Sequence, residues 1–207
     1  MDGNNRWSKI KKIDFDQAYI KGAERLFKTA KFIFSNYDIL NISAFALSKH
    51  NLKRSKTIVK TLKEILYKYL LDISDRNFEF DIKFIGDFSV FDNKTISLIH
   101  TFNKKNHFRK KLFIFLNYSG REDIKNILNK SNLKNEKNIE SFLSTKDIPD
   151  PDILIRTGGF SRISDFMLYQ ISFFELFFLK KLWPDFSNTD IKAIIKKFDN
   201  IERKFGR

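Results

Sequence analysis

Cysteine is absent from this chain of 207 residues, which excludes a disulfide framework and any thiolate metal site. Its three prolines and seven glycines are too few and too scattered to form a linker, and a chain of about 200 residues can bury a full core, so one domain over 1–207 is expected. No apolar run reaches the roughly 18 residues needed to cross a bilayer. No secretory leader precedes the first motif, so the expected compartment is cytoplasmic, with contact at a membrane surface the most that the composition allows.

Acids are outnumbered, with 25 Asp and Glu against 39 Lys and Arg, for a formal net charge of +14. That charge suits nucleic acid, small diphosphates or an anionic membrane surface. The lysines are scattered along helical stretches rather than gathered in one stripe, and they accompany abundant Asn, Ile and Phe. Most therefore read as solvated faces, and no nucleic-acid partner is expected.

Hydrophobic spacing divides the chain into alternating helices and strands. Ile20, Ala23, Phe27, Ala30 and Phe34 recur at helical spacing over Asp16 to Asn36, a strand is expected over Ile39 to Leu47, and Ser55 caps a helix reaching Leu71. Strands follow at Phe78 to Ile85, Leu112 to Tyr118 and Ile153 to Arg156. Helices are expected at 93–103, 121–130, 138–144, 165–176 and 188–204, with the polar stretch Asn129 to Asn138 as a surface loop. This alternation predicts an α/β fold, a mostly parallel central sheet covered by helices on both faces, with ligands beyond the carboxyl ends of the strands.

Chemistry concentrates where the strand Ile153 to Ile155 ends. Arg156, the turn Thr157-Gly158-Gly159, and then Arg162-Ile163-Ser164 place two guanidiniums and a hydroxyl on one loop. Arginine presents forked donors to phosphate oxygens, and glycines let backbone N–H groups approach an anion. Glu175 lies in the apolar run Ile171 to Phe178, where an unpaired carboxylate is costly, so a metal or a cation is expected beside it. An internal ion-pair network would account for the same residues. At the other end, Asp2 and Gly3 precede a short turn of Asn4 and Asn5 and then Arg6. A carboxylate beside such a turn suits a magnesium–diphosphate pair, and it is also ordinary turn chemistry.

Together, MDGNNRW at the start, Ser48 to Arg54 after a strand, and DILIRTGGFSRIS followed by Glu175 and Trp183-Pro184-Asp185-Phe186 resemble the cis-prenyltransferases, most closely the bacterial undecaprenyl diphosphate synthase type. Ile85-Gly86-Asp87, Leu116 to Arg121 and the tail Glu202 to Gly206 extend the resemblance over essentially the whole chain. It implies a homodimeric, Mg²⁺-dependent transferase. Such an enzyme condenses isopentenyl diphosphate with an allylic diphosphate such as farnesyl diphosphate, and it houses the growing cis-polyprenyl chain in a hydrophobic tunnel. In a bacterium the product would be the lipid carrier of cell-wall precursors.

By the same resemblance, Asp2 is catalytic and a metal ligand, and Gly3, Asn4, Asn5, Arg6 and Trp7 bind the allylic diphosphate. Phe15 and Tyr19 stand where the family supports that substrate with arginine and histidine. Asn51 helps remove the isopentenyl proton and Arg54 contacts a diphosphate. Ser48 fits the binding pattern, while Lys49, His50 and Leu52 replace its usual serine, acid and tryptophan. His50 reads as a partly exposed loop histidine, with a catalytic-base role the alternative. Arg156, Arg162, Ile163 and Ser164 bind isopentenyl diphosphate, and Glu175 completes the metal site, from the same chain or across a dimer interface. The Phe-rich faces at Phe27, Phe32, Phe34, Phe45 and Phe115 are core or tunnel lining.

In the family a hydrophobic strand feeds the Asp-Gly loop, and none precedes Asp2 here. An upstream start is therefore expected. A vacant place in the sheet would leave Asp2 on a fraying end. Two rivals remain: a non-catalytic subunit of a heteromeric prenyltransferase, for which Phe15 and Tyr19 speak, and a basic nucleic-acid-binding protein, which would have no use for Glu175.

Overall fold

The computed structural model describes residues 1–128 and 139–203; the expected loop at Asn129 to Asn138 and the tail from Lys204 onward lie outside the described residues. Helix α1 (Asn4–Lys11) begins directly after Gly3, whose φ of 114° is the left-handed turn that starts it, where the sequence predicts only a turn at Asn4 and Asn5. Helix α2 (Phe15–Asn36) buries Ala18, Gly22, Leu26, Ala30, Ile33 and Phe34, a stripe repeating every three or four residues. Then follow β1 (Asn41–Ser48), α3 (Lys56–Ser74), β2 (Asp81–Ile85), α4 (Asn93–Lys104), β3 (Lys111–Tyr118), α5 (Gly120–Leu128), β4 (Ile153–Arg156), β5 (Glu175–Phe178) and α6 (Asn188–Asp199). Ser55 stands at the start of α3 as expected, but its side chain makes no capping hydrogen bond.

Every strand pair is parallel. One sheet has the order β1-β3-β2, with Ile42 and Ile82 both opposite Leu112, and the other pairs β4 with β5. Central β3 is buried from Leu112 to Tyr118, as its continuous apolar run requires of a strand covered on both faces. The fold class is thus α/β with parallel strands, and the described hydrogen bonds divide its strands between two ladders.

The expected helix over 165–176 does not form. Ser164, Asp165 and Met167 have φ values of 54°, 67° and 47°, which no right-handed helix contains. A 3-10 turn at Ile171–Phe173 leads instead into β5, where aromatic and branched residues alternate between half-buried and exposed. The expected helix at 138–144 is likewise a 3-10 turn, Ile139–Phe142.

The fold comprises two compact units, Met1–Asp38 with Asp150–Ile163 and Gln170–Arg207, and Ile39–Pro149 with Ser164–Tyr169. In the first, Trp183 anchors α2 by donating its indole N–H to the Gly22 carbonyl at 2.7 Å, and its ring stacks on Phe186. The second is centred on Phe113, Phe115, Tyr118, Ile148 and Met167, with Phe45 stacked on Phe166 at 4.7 Å. Phe27, Phe34 and Phe115 are buried, as core residues should be. No helix among the described residues is long and apolar enough to cross a membrane.

Candidate active site

In the first unit the two ends of the sequence meet. Thr157, fully buried just after β4, accepts a hydrogen bond from the Asp2 amide and donates one to the Asp2 carbonyl, both at 3.0 Å. The Trp183 amide donates to that carbonyl as well, at 3.0 Å. The Asp2 backbone is thus held on both sides. Its carboxylate faces two guanidiniums, Arg156 at 2.9 Å on one oxygen and Arg6 at 3.4 Å on the other. Arg6 also donates to the Gly158 carbonyl at 2.7 Å, and Arg156 donates to the Arg162 carbonyl.

Helix α1 adds donors beside these charges. The first intrahelical bond runs from the Trp7 amide to the Gly3 carbonyl, so the N–H groups of Asn4, Asn5 and Arg6 have no acceptor within the helix. Such a terminus favours an anion. Trp7 itself is buried, with its indole N–H committed to Asp185 at 2.8 Å, so it seats the helix rather than offering a donor to a ligand. Asn4 presses its side-chain oxygen against Gly22, where an added methyl would come within 2.4 Å. Phe15 and Tyr19 pack ring against ring along α2, with centroids 4.3 Å apart and planes tilted by 31°.

The glycine loop works differently from the sequence reading. The amides of Gly158 and Gly159 donate to the carbonyls of Lys181 and Leu179, each at 2.8 Å, and are not available to an anion. These glycines serve their positive φ values of 94° and 80°, and Gly158 also lets Arg6 and Asp2 come close. The charged donors of this loop are its arginines.

Glu175 is half-buried rather than sealed in an apolar core, with Phe173 in the turn before β5 and Leu176 within it both exposed. Parallel register sets Glu175 opposite Ile153 at the start of the ladder, whereas Arg156 ends it opposite Phe178. Three residues of strand are roughly 10 Å. Within one chain Glu175 and Asp2 thus belong to opposite ends of β4–β5, and no cluster of three or more His, Asp or Glu suited to a metal occurs among the described residues. Asp2 alone is a hard-oxygen ligand beside free amides and guanidiniums. That donor set fits Mg²⁺, which keeps several waters and shares substrate phosphates rather than requiring an all-protein cage.

In the second unit, β1 ends in a reciprocal cap. The Asn51 amide donates to Ser48 Oγ at 3.2 Å, and the Ser48 amide donates to Asn51 Oδ1 at 3.0 Å. This fixes the Asn51 side chain over the 3-10 turn Lys49–Lys53. Lys49 pairs with Glu122 at 3.4 Å, and exposed His50 lies 3.9 Å from Asp165. Leu52 is half-buried and Arg54 exposed.

Sequence reasoning misses Asp165. Its carboxylate accepts from Ser119 Oγ at 2.5 Å and the Arg121 amide at 3.0 Å, and its carbonyl accepts from the Gly120 amide at 2.9 Å. It caps α5 and holds the left-handed backbone at Ser164 in place. The signal, an acid directly after Ser164, has no distinguishing neighbours in the sequence. Tyr118, nearby, has its phenol pushed well above the ordinary tyrosine range by burial and by Asp123, so it remains a protonated donor.

Residues 1–206 match the family described as "Putative undecaprenyl diphosphate synthase". The tritrans,polycis-undecaprenyl-diphosphate synthase (geranylgeranyl-diphosphate specific) of Pyrobaculum aerophilum is 37% identical, over 100% of this chain and 93% of its own length. An isoprenyl transferase of Aquifex pyrophilus is 35% identical with the same coverage of both chains. Among solved structures, lavandulyl diphosphate synthase from Lavandula x intermedia, in complex with dimethylallyl diphosphate, superposes with a TM-score of 0.85 at 26% identity, covering 100% of this chain and 95% of that one. With the family motifs matched from end to end and the fold shared, this chain belongs to the cis-prenyltransferases and is an enzyme of isoprenoid biosynthesis that elongates prenyl chains.

Proposed function

We propose that the enzyme condenses isopentenyl diphosphate with an allylic diphosphate to give a cis-polyprenyl diphosphate, the precursor of an undecaprenyl-type lipid carrier. The observation that carries this reading is the convergence of Asp2, Arg6 and Arg156 beside the unpaired amides of α1, a site with one carboxylate and a surplus of donors for a polyanion. The allylic diphosphate binds the amides of Asn4 to Arg6 and the Arg6 guanidinium. Arg156 and Arg162 hold the isopentenyl diphosphate.

Asp2 would hold Mg²⁺, and the ion, when bound, would supply positive charge to the departing diphosphate. The isopentenyl double bond attacks the allylic carbon as its bond to the diphosphate oxygen breaks, and the electron pair leaves with inorganic diphosphate. Arg6 and the α1 amides stabilise the charge that builds there. Transfer of a proton from the isopentenyl unit to the departing diphosphate leaves the new cis double bond. Two substrates anchored by their diphosphates are held in near-attack geometry.

We further propose that the working form is a homodimer in which Glu175 of one copy serves the site of the other. Half-exposed Glu175 on a strand that also exposes Leu176 and Phe178 supports this. The growing chain occupies a hydrophobic tunnel, and the surplus of basic residues suits contact with an anionic membrane surface.

The test is incubation of the purified chain with radiolabelled isopentenyl diphosphate, Mg²⁺ and, in separate reactions, dimethylallyl, farnesyl or geranylgeranyl diphosphate. Products are resolved by chain length. A labelled ladder lost in Asp2→Ala and on chelation is expected. Absence of product with every primer would sink the reading and favour a non-catalytic subunit.

A further inference from the structure

Phe160 occupies an unusual position in the first unit. Its ring lies within 4.4 Å of the Arg162 guanidinium carbon, 4.9 Å of that of Arg6 and 5.7 Å of that of Arg156, measured to the ring centroid. The ring is itself 39% exposed on the glycine loop, where a large apolar side chain gains little from burial. Asp2 pairs with Arg6 and Arg156, and among the described residues no acid pairs with Arg162. Drawn together without a bound anion, such charges repel. An aromatic face attracts cations within about 6 Å through its quadrupole without neutralising them. A carboxylate in the same place would form ion pairs that an incoming diphosphate must break.

From this geometry we infer that Phe160 is a positioning residue: its ring gathers Arg6, Arg156 and Arg162 into a preorganised but still cationic cluster, and so sets affinity for both diphosphate substrates. The inference rests on the diphosphate-transfer reading, and it adds a residue and a mechanism to it. Arg6 belongs to the proposed allylic subsite and Arg156 and Arg162 to the isopentenyl one, so one ring tunes both. Its contacts are made before and during the reaction alike, which places its effect on binding rather than on the chemical step.

The experiment compares Phe160→Leu, which keeps apolar bulk and removes the quadrupole, with Phe160→Tyr, which keeps both. Binding of inorganic diphosphate is measured by calorimetry, and KM and kcat for both substrates by labelled transfer, with thermal unfolding followed in parallel. We expect Phe160→Leu to bind inorganic diphosphate about tenfold more weakly, from the loss of cation–π contacts. Its KM should rise for both substrates while kcat stays within about twofold, and Phe160→Tyr should match the parent chain. Equal binding by the Leu variant, or equal loss by Leu and Tyr, overturns the inference while leaving the transferase reading intact. Failure of the unsubstituted chain to bind diphosphate overturns both.

Discussion

Thr157 shows how single atoms hold this site. Its hydroxyl closes a two-way clasp on the Asp2 backbone, and the side chain is 1% exposed. Thr157→Val keeps the shape and leaves the Asp2 amide without that acceptor, so it should lower unfolding stability by about 1–3 kcal/mol in urea titrations. Gly158→Ala is expected to act on function. A β-carbon there would come within 2.6 Å of an Arg6 guanidinium nitrogen and 3.0 Å of the Asp2 side chain, at a φ of 94°. Displacing both groups should reduce kcat/KM for prenyl transfer by roughly 10²-fold. Asp2, Arg156 and Arg162 stand out in the sequence because each is a charged residue close to a glycine turn. Thr157 does not, because its partner is 155 residues away. Nor does the true work of Gly158 and Gly159, whose amides are claimed by a neighbouring segment that no local pattern announces.

At the scale of elements, caps and periodicity divide the legible from the illegible. Helix α6 starts with a capping box in which Ser187 and Asp190 exchange hydrogen bonds, and Lys181 pairs with Asp190 at 2.7 Å. Burial pushes the Asp190 carboxyl upward, but hydrogen bonds from Lys181 and Ser187 outweigh it and hold the group below the ordinary aspartate value. A carboxyl depressed in the folded state stabilises above its unfolded pKa of about 3.9, and that contribution disappears as pH falls through the lower folded value. Asp190→Ala should therefore be about 1 kcal/mol less stable near neutrality, with the gap closing as pH drops below about 4, read from melting temperatures across pH. Helices α2, α3 and α4 are legible because their apolar stripes are long. The segment 165–176 is not: its Phe- and Leu-rich composition permits helix or strand, and left-handed backbone at Ser164, Asp165 and Met167 decides the matter.

On the scale of the whole molecule, the prediction concerns assembly. If Glu175 serves the partner's site, Asp2→Ala and Glu175→Ala should each be inactive alone, yet mixing them should restore about a quarter of parental activity, since half the dimers are mixed and each carries one intact site. Charged substitutions on the exposed apolar side of β5, such as Leu176→Lys with Phe178→Lys, should yield monomers in sedimentation and abolish that rescue. The sequence by itself determined the α/β class, the parallel alternation and the family. These rest on local periodicity and on residue types whose chemistry travels with them. Only the tertiary structure decided that Asp2 is clamped by Thr157 and Arg156, that Phe160 sits among three arginines, and that Glu175 lies at the far end of its ladder from Arg156. Register and contacts between distant segments are set by packing across the whole chain, which no stretch of the sequence carries alone.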